Sequence, residues 1–212
     1  MTPPTDYQYL DIRGKTHLVT KGPPVYGEST KNGWRAWDPT RSKLGSVITQ
    51  DIDVGLSKNV KVLYLGAANG TTVSHVSDVA SIVYSVEFSP QPMRDLLNVA
   101  RSRTNIIPLL KDARRPETYS HVVESNLDLL IQDVATRGQV KIALDNKKFL
   151  SPHGKLFLVI KARSENVVTH PDLIFKSSIE DLSQEYAILQ TKKLTSHHKD
   201  HLAIIAEPLP YK

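Results

Sequence analysis

The chain contains no cysteine, which excludes a disulfide framework, a thiolate metal site and a cysteine nucleophile. It also has no apolar run close to the ~18–20 residues that a membrane-spanning helix needs. The opening residues, MTPPTDYQYL, do not follow the basic-then-apolar order of a secretory signal. These absences lead us to expect a soluble, intracellular protein that has no membrane partner.

The 212 residues carry a formal charge of +5, and 40% of them are hydrophobic. That length suits one or two domains, and the apolar content is enough for a folded core. Lysine and arginine are spread along the chain rather than gathered in a tail. A mildly basic surface of this kind adds only modest support for a nucleic-acid partner.

From Lys61 onward, apolar runs alternate with helical segments. The runs at 61–65, 81–88, 105–110, 127–133 and 155–161 lack clean period-two alternation, as expected for parallel strands buried on both faces. The segments predicted as helices are Thr71–Ala80, Gln91–Arg101, Pro116–Glu124, Gln139–Leu150 and Asp172–Gln184. This rhythm predicts an α/β fold with a doubly wound, mostly parallel sheet.

The C-terminal part departs from this rhythm. Its last two apolar runs, 186–194 and 201–207, are separated by a connection too short for a crossover, so we expect an antiparallel hairpin. A mostly parallel seven-stranded sheet that ends in such a hairpin is typical of the Rossmann-like fold of S-adenosylmethionine-dependent methyltransferases.

The N-terminal part is predicted to be a small β-rich element. Short strands are expected at 16–21 and 22–28 because turn residues punctuate apolar stretches there. A lead-in helix is expected to begin at Asp38-Pro39, an acidic cap followed by proline. We therefore divide the chain into an N-terminal element with its helix, residues 1–50, and a methyltransferase domain, residues 51–212.

The segment Tyr64–Val76 joins the first of these parallel strands to a loop of small residues and then to a helix. Small residues let a ligand approach the backbone, and a helix start offers unpaired N–H groups. Glu87 follows 21 residues after Gly66, a spacing that suits a ribose bound across a βαβ unit. An ordinary βα turn is the alternative. The glycine spacing fits neither a dinucleotide loop nor a P-loop, so S-adenosylmethionine suits it better.

A glycine loop and four charged residues stand at the carboxyl ends of the predicted parallel strands, where doubly wound sheets bind ligands. They are Gly66 with its loop, Glu87, Asp112, Asp133 and Lys161. An acid at such a position is also a common helix cap, so each one alone has a structural explanation. Their alignment along one edge of the sheet favours a ligand site.

Seven motifs along the chain belong together. They are WRAWDPTRSKL (34–44), KVLYLGAANGTTVSHVSD (61–78), VEFSP (86–90), RTNIIPLLKDAR (103–114), DVA (133–135), VIKAR (159–163) and KDH (199–201). This set resembles the fibrillarin family, the 2′-O-methyltransferases of box C/D ribonucleoproteins, from about Val19 to His201. The lack of a glycine–arginine-rich tail is similar to the archaeal form. The resemblance implies a catalytic subunit that methylates rRNA, with tRNA as a further substrate.

The resemblance also implies where S-adenosyl-L-methionine lies. The implied contacts are Gly66, Ala67, Gly70, Thr71 and Thr72 in the loop, Glu87 at the ribose, Phe88, Asp112 and Ala113 at the adenine, and Asp133 near the methionine end. The family typically continues DVAQPxQ, whereas this chain reads DVATRGQ. Thr136 therefore stands at the position of a cofactor-side glutamine of the family, which leaves open whether this position contacts the cofactor, while Gln139 is retained.

The catalytic set implied by the resemblance is Lys43, Asp133, Lys161 and His201. A ribose 2′-hydroxyl must lose its proton as it attacks the methyl group in line. A partly desolvated lysine beside another cation can accept or relay such a proton. Lys161 is thus the candidate base or relay, oriented by Asp133, while Lys43 and His201 would position the hydroxyl and a phosphate. Outside the family, Lys43 would be a surface residue and Lys161 a snorkelling one.

His197, His198 and His201 raise the alternative of a metal site. Closely spaced histidines on a hairpin are more typical of a solvated loop, so we predict no metal.

The sequence holds no RNP motif, KH loop or zinc finger, so target choice is expected to come from outside the chain. The resemblance implies a box C/D guide RNA paired to target RNA, a Nop-domain scaffold protein and a kink-turn-binding ribosomal-type protein. The N-terminal β-rich element and the nearby helices are the expected docking surface for the scaffold. Two alternatives stay open: a non-catalytic structural subunit of the same particle, and a protein side-chain methyltransferase.

Overall fold

A computed structural model of the chain describes residues 7–195 and 198–210. Its first four strands are β1 (Tyr7–Ile12), β2 (Lys15–Lys21), β3 (Thr30–Lys31) and β4 (Trp34–Ala36). They form an antiparallel sheet in the order β1-β2-β4-β3. Arg13 and Gly14 join β1 to β2 with φ angles of 56° and 79°, as a two-residue hairpin turn requires. The small β-rich N-terminal element is confirmed for the described residues.

Seven further strands form the main sheet. They are β5 (Lys61–Leu65), β6 (Ile82–Glu87), β7 (Ile106–Leu110), β8 (Leu127–Gln132), β9 (Leu150–Lys161), β10 (Tyr186–Lys193) and β11 (His201–Pro208). Their order is β10-β11-β9-β8-β5-β6-β7. Strands β5 to β9 are parallel, whereas β11 runs antiparallel to both β9 and β10. The predicted mostly parallel sheet with a C-terminal hairpin is confirmed.

The connections of the main sheet reverse direction between β5 and β8. From β5 the chain adds β6 and β7 on one side and then returns to add β8 and β9 on the other. Adjacent loops diverge at such a switch point and leave a crevice beyond the carboxyl ends of the strands.

Helices cover both faces of this sheet. They are α1 (Lys43–Ile48), α2 (Thr71–Ser77), α3 (Pro90–Arg101), α4 (Gln139–Asn146), α5 (Ala162–Glu165) and α6 (Pro171–Leu182). Along β5, Val62 and Tyr64 join the core with α1, α2 and α3, while Leu63 and Leu65 join the core with α4 and α6. None of these helices within the described residues is long and apolar enough to cross a membrane.

A buried ionic cluster fastens the N-terminal sheet to α2. Arg35 of β4 is fully buried, and its Nε donates to Asp78 Oδ2 at 2.7 Å. Arg103 lies 3.2 Å from the other oxygen of Asp78, and the Thr20 hydroxyl donates to the same carboxylate at 2.7 Å. Buried charges need such partners, so the small sheet and the main domain are held together by specific contacts.

The lead-in helix begins later than the sequence predicts. The expected start at Asp38-Pro39 is wrong, because α1 begins at Lys43 with Ser42 as its N-cap, whose hydroxyl accepts from Gly45 N. The Asp38 carboxylate instead accepts from the backbone and hydroxyl of Thr40 at 2.8 and 2.7 Å. Such a local side-chain turn competes with helix formation.

Other boundaries also differ from the prediction. Only a 3-10 turn, Pro116–Thr118, replaces the helix expected at 116–124. Thr118, Val122 and Val123 are β-branched, and such residues form helices poorly. The helix expected to reach Leu150 ends at Asn146, because Leu150 begins β9. No strand forms at 22–28, where two prolines lack donors and the Glu28 carboxylate takes the N–H groups of Val25 and Tyr26.

Candidate active site

The loop after β5 turns sharply at the switch point. Gly66 has a φ of 84°, and a Cβ there would lie 2.8 Å from the carbonyl oxygen of Asp133. Its N–H donates to Val86 O at 2.9 Å, and Asp133 N donates to Leu65 O at 2.9 Å. Only glycine fits here, because the conformation is left-handed and the backbone of the neighbouring strand end is in contact.

The rest of the loop closes onto the start of α2. Ala68 and Gly70 have φ angles of 47° and 83°, and Gly70 N donates to Ala67 O at 3.0 Å. Thr71 binds the side chain of Asn69 through its hydroxyl at 3.0 Å, while the Thr72 hydroxyl donates to Ser42 Oγ at 3.1 Å. The loop is therefore compact and fixed at both ends.

Glu87 ends β6 next to this loop. Its side chain is mostly buried, with Oε2 accepting from Ala68 N at 2.9 Å and Oε1 from Ser89 N at 2.8 Å. A carboxylate accepts about four hydrogen bonds, so each oxygen retains capacity. This arrangement suits a ligand with a pair of hydroxyl groups.

A cavity of about 460 Å³ lies beyond these strand ends. Of the predicted cofactor residues, those that line it are Gly66, Glu87, Phe88, Asp112, Ala113, Asp133 and Thr136. Its volume is typical of a small-molecule site. A larger cavity of about 570 Å³ lies between α4 and α6, but Gln139 is the only predicted site residue on its wall, so the strand-end cavity is the better candidate.

Asp112 and Phe88 lie on the outer part of this cavity. Both oxygens of Asp112 accept from Arg114, with Nη2 at 2.6 Å, and these bonds hold the pKa of Asp112 below its usual value. The Phe88 side chain is 68% exposed. An exposed ring beside an ionised acceptor suits a flat heterocycle that carries an amino group.

Five predicted cofactor residues do not line the cavity: Ala67, Gly70, Thr71, Thr72 and Gln139. The first four form the loop behind it. Gln139 is fully buried; its Oε1 accepts from Lys161 N at 2.8 Å, and its Nε2 donates to Lys161 O at 3.2 Å. The structure therefore brings Gln139 to the backbone of Lys161, and its contact with the cofactor stays a prediction.

Three members of the predicted catalytic set meet at Asp133. Lys43 Nζ lies 3.0 Å from Asp133 Oδ2, and Lys161 Nζ lies 2.8 Å from Oδ1 and 2.9 Å from the carbonyl oxygen of the same residue. The contact with Oδ1 is an ion pair without hydrogen-bond alignment. One carboxylate thus holds two ammonium groups at the rim of the cavity, although Lys43 is 90 residues away in sequence.

His201 is brought beside this group by strand pairing, since it is the register partner of Lys161. Its Nδ1 lies 2.6 Å from the carbonyl oxygen of Lys199, so Nδ1 carries the proton and Nε2 is the acceptor nitrogen. Burial lowers the pKa of His201, and the charges of Lys43 and Lys161 lower it further. The imidazole is therefore neutral at neutral pH.

The sequence prediction missed residues that support the site. Ser42 caps α1 and contacts Thr72, and Arg114 fixes Asp112. Serine directly before a lysine–leucine helix start is a capping signal that identifies Ser42. Arg114 stands two residues after Asp112, but an i, i+2 spacing carries no general signal.

Within the described residues, no group of three or more histidine and acidic side chains could hold a metal ion. His197, part of the alternative raised by the sequence, lies outside the described residues.

Together, the hairpin-ended sheet and the strand-end crevice define the S-adenosylmethionine-dependent methyltransferase class of fold. The model of the family Fibrillarin matches residues 6–209. The chain belongs to the fibrillarin family.

Relatives and solved structures agree with this assignment. The chain is 52% identical over 205 residues to a fibrillarin-like rRNA/tRNA 2′-O-methyltransferase of Halorubrum lacusprofundi, covering 97% of each chain. Over 208 residues it is 53% identical to a protein of the same name from Haloarcula marismortui, covering 98% of this chain and 99% of the relative.

Two solved structures are informative. A fibrillarin in complex with Nop5p has a TM-score of 0.90 and 38% identity, with 97% of this chain and 98% of that chain covered. The fibrillarin of Aeropyrum pernix, with natively bound S-adenosyl-L-methionine, has a TM-score of 0.84 and 37% identity, with 95% and 94% covered.

Proposed function

We propose that this chain is an S-adenosylmethionine-dependent ribose 2′-O-methyltransferase acting on rRNA and tRNA. The observation that carries the proposal is the carboxylate of Asp133 between the ammonium groups of Lys43 and Lys161, 3.0 and 2.8 Å away, at the rim of the strand-end cavity. The relatives named above carry the same activity in their names, which supports it.

The cavity fits the methyl donor. Gly66 packs against the backbone of Asp133 more closely than a Cβ would allow, which sets the edge of the loop that lines the cavity, and Glu87 offers acceptors for two ribose hydroxyls. Asp112 would accept from the adenine amino group, and Phe88 would cover the ring. Bound there, S-adenosyl-L-methionine supplies a sulfonium-activated methyl group. At the methionine end of the site, the carboxylate of Asp133 offsets part of the positive charge of Lys43 and Lys161 that the sulfonium would otherwise meet.

The side chains at the rim act on the other substrate. Lys43 and His201 position the target hydroxyl and its neighbouring phosphate, and Asp133 fixes the ammonium groups of Lys43 and Lys161 in place. The proton of the 2′-hydroxyl would leave through Lys161, whose ammonium group gives one of its own protons to water as it takes up the new one. His201 is neutral and offers Nε2 as an acceptor nearby. Holding the hydroxyl in line with the methyl group provides much of the rate, because orientation is a large part of the barrier.

The chain works as the catalytic subunit of a guide-directed particle. A related fibrillarin is solved in complex with Nop5p, which supports a Nop-domain scaffold as a partner. A box C/D guide RNA paired to the target RNA and a kink-turn-binding ribosomal-type protein complete the particle. The named relatives are archaeal, so we expect it to act in the cytoplasm of an archaeon.

The N-terminal sheet is proposed as the docking surface for the scaffold. Deleting residues 1–30 is a poor test, because Thr20 and Glu28 belong to the buried ionic cluster. Charge substitutions on the exposed side chains of Gln8 and Thr30 are sharper. Loss of scaffold binding with unchanged donor binding would support the placement, and full scaffold binding would overturn it.

The activity is tested by tritiated methyl transfer to a guide-paired RNA with the partner proteins present. We expect methyl incorporation that a 2′-deoxy target abolishes, and a loss of about 10²–10⁴-fold for Lys161→Ala, the usual contribution of a proton-transfer group. Lys155→Ala is the matched control, since Lys155 lies on the same strand and pairs with Asp53 at 2.7 Å.

Three outcomes contradict the proposal in different ways. Full activity of Lys161→Ala removes the role of that residue. Label that persists with the deoxy target and is found on protein favours a protein substrate, and no incorporation by the assembled particle favours a structural subunit.

A further inference from the structure

Tyr26 reaches from the N-terminal segment to the cofactor loop. Its hydroxyl donates a hydrogen bond to the carbonyl oxygen of Asn69, the residue before Gly70. A trans peptide unit points its C=O and N–H in opposite directions, so fixing the Asn69 oxygen directs the Gly70 N–H the other way. There it donates to Ala67 O at 3.0 Å and closes the turn. One hydroxyl therefore sets the peptide plane at the tightest point of the loop.

The position of Tyr26 is itself fixed by buried charge. The Glu28 carboxylate accepts from Val25 N and Tyr26 N at 2.7 and 2.9 Å. Its other oxygen pairs with Arg35 Nη1 at 3.0 Å, and Arg35 is fully buried. The backbone of Tyr26 is thus tied through Glu28 to Arg35 of β4, and these contacts hold its hydroxyl against the loop.

The phenol acts as a neutral donor. Burial raises the pKa of Tyr26, and Asp95 raises it further, which outweighs the opposite effect of Arg41. The guanidinium carbon of Arg41 lies 6.0 Å from the centre of the ring. The hydroxyl keeps its proton at neutral pH and can donate a hydrogen bond to the carbonyl oxygen of Asn69.

We propose that Tyr26 is a positioning residue for the methyl donor. Through the Asn69–Gly70 peptide, Tyr26 holds the loop from Gly66 to Gly70 in the conformation that binds the donor. The inference rests on the proposed function, since the ligand is the S-adenosylmethionine of that site. Tyr26 does not line the cavity, so it acts through the loop. Its loss should weaken donor binding and leave the chemical step unchanged.

The test compares Tyr26→Phe with Tyr9→Phe, each of which removes only a hydroxyl. Tyr9 is the matched control because its hydroxyl donates to Ile48 O at 3.2 Å and so also joins the N-terminal sheet to the rest of the chain. Calorimetric titration with S-adenosylhomocysteine should give about three- to tenfold weaker binding for Tyr26→Phe, the value of one hydrogen bond. Tyr9→Phe should bind as the parent chain does.

Two further readouts separate positioning from general destabilisation. Backbone amide exchange of residues 66–72 without ligand should speed up in Tyr26→Phe and not in Tyr9→Phe. In the assembled particle, kcat at saturating donor should be unchanged in Tyr26→Phe while KM for the donor rises.

Equal binding and exchange in both variants would overturn the inference, as would an equal loss in both. If the parent chain binds no S-adenosylhomocysteine, the proposed function fails, and the exchange rates alone then decide whether Tyr26 holds the loop.

Discussion

At the scale of single residues, the candidate site depends on three charged side chains: the ammonium groups of Lys43 and Lys161 both pair with the carboxylate of Asp133. Asp133 and Lys161 could be predicted from sequence because both follow apolar runs that end at one edge of the sheet. Lys43 could not, since no spacing rule links it to a carboxylate 90 residues later, and only the family resemblance placed it there. Gln139 was likewise carried over from the family; its amide contacts the backbone of Lys161, and its contact with the cofactor stays a prediction.

His201 provides a pH test of this charge arrangement. Burial and the nearby ammonium groups lower its pKa below the ordinary 6.5, so we expect the imidazole to titrate below that value in an NMR titration of the free chain. Lys43→Gln removes one positive charge and should raise the pKa of His201. Lys155→Gln, on the same strand as Lys161 but paired with Asp53, should leave it unchanged. A titration at 6.5 that Lys43→Gln does not move would contradict the arrangement.

At the scale of elements, buried strands were predicted better than helix ends. The parallel strands are continuous apolar runs, and burial on both faces leaves them few alternatives. The helix expected at 116–124 did not form although Tyr119 and Val123 are buried, because β-branched residues in the segment lower its helix propensity. β1 and β4 were missed since small antiparallel strands carry little signal of their own, and their pairing depends on long-range contacts.

The loop after β5 allows a paired substitution test. Gly66 and Gly138 both have left-handed backbones, with φ of 84° and 77°, but a Cβ on Gly66 would lie 2.8 Å from backbone whereas one on Gly138 meets nothing within 4 Å. Gly138→Ala should cost about 1–2 kcal/mol of unfolding free energy, the price of the backbone conformation alone. Gly66→Ala should cost more and abolish S-adenosylhomocysteine binding, which Gly138→Ala should retain. Urea unfolding and calorimetric titration measure both effects, and equal losses would show that the close approach at Gly66 does not matter.

At the scale of the whole molecule, two sheets share one core. Leu18 of β2 and Trp37, just after β4, lie in the same buried cluster as Val62 of the main sheet. Hydrophobic periodicity identifies elements but not which of them pack together, so the sequence suggested a division at residue 50. The division into residues 1–50 and 51–212 stays a prediction. The shared core leads us to expect that the two parts unfold together.

Asp78→Asn tests this coupling, because it removes a charge and keeps the shape of the side chain. Asp78 balances the buried guanidinium of Arg35 at 2.7 Å and that of Arg103 at 3.2 Å, and uncompensated buried charge costs about 3–5 kcal/mol. Glu117→Gln is the control, since it breaks an exposed pair with Arg115, worth at most about 1 kcal/mol. Urea unfolding followed by both fluorescence and circular dichroism should show a large loss for Asp78→Asn, with one transition in each variant. A loss as small as that of the control would mean that the cluster does not join the two sheets, and a separate early transition would mean that residues 1–50 unfold on their own.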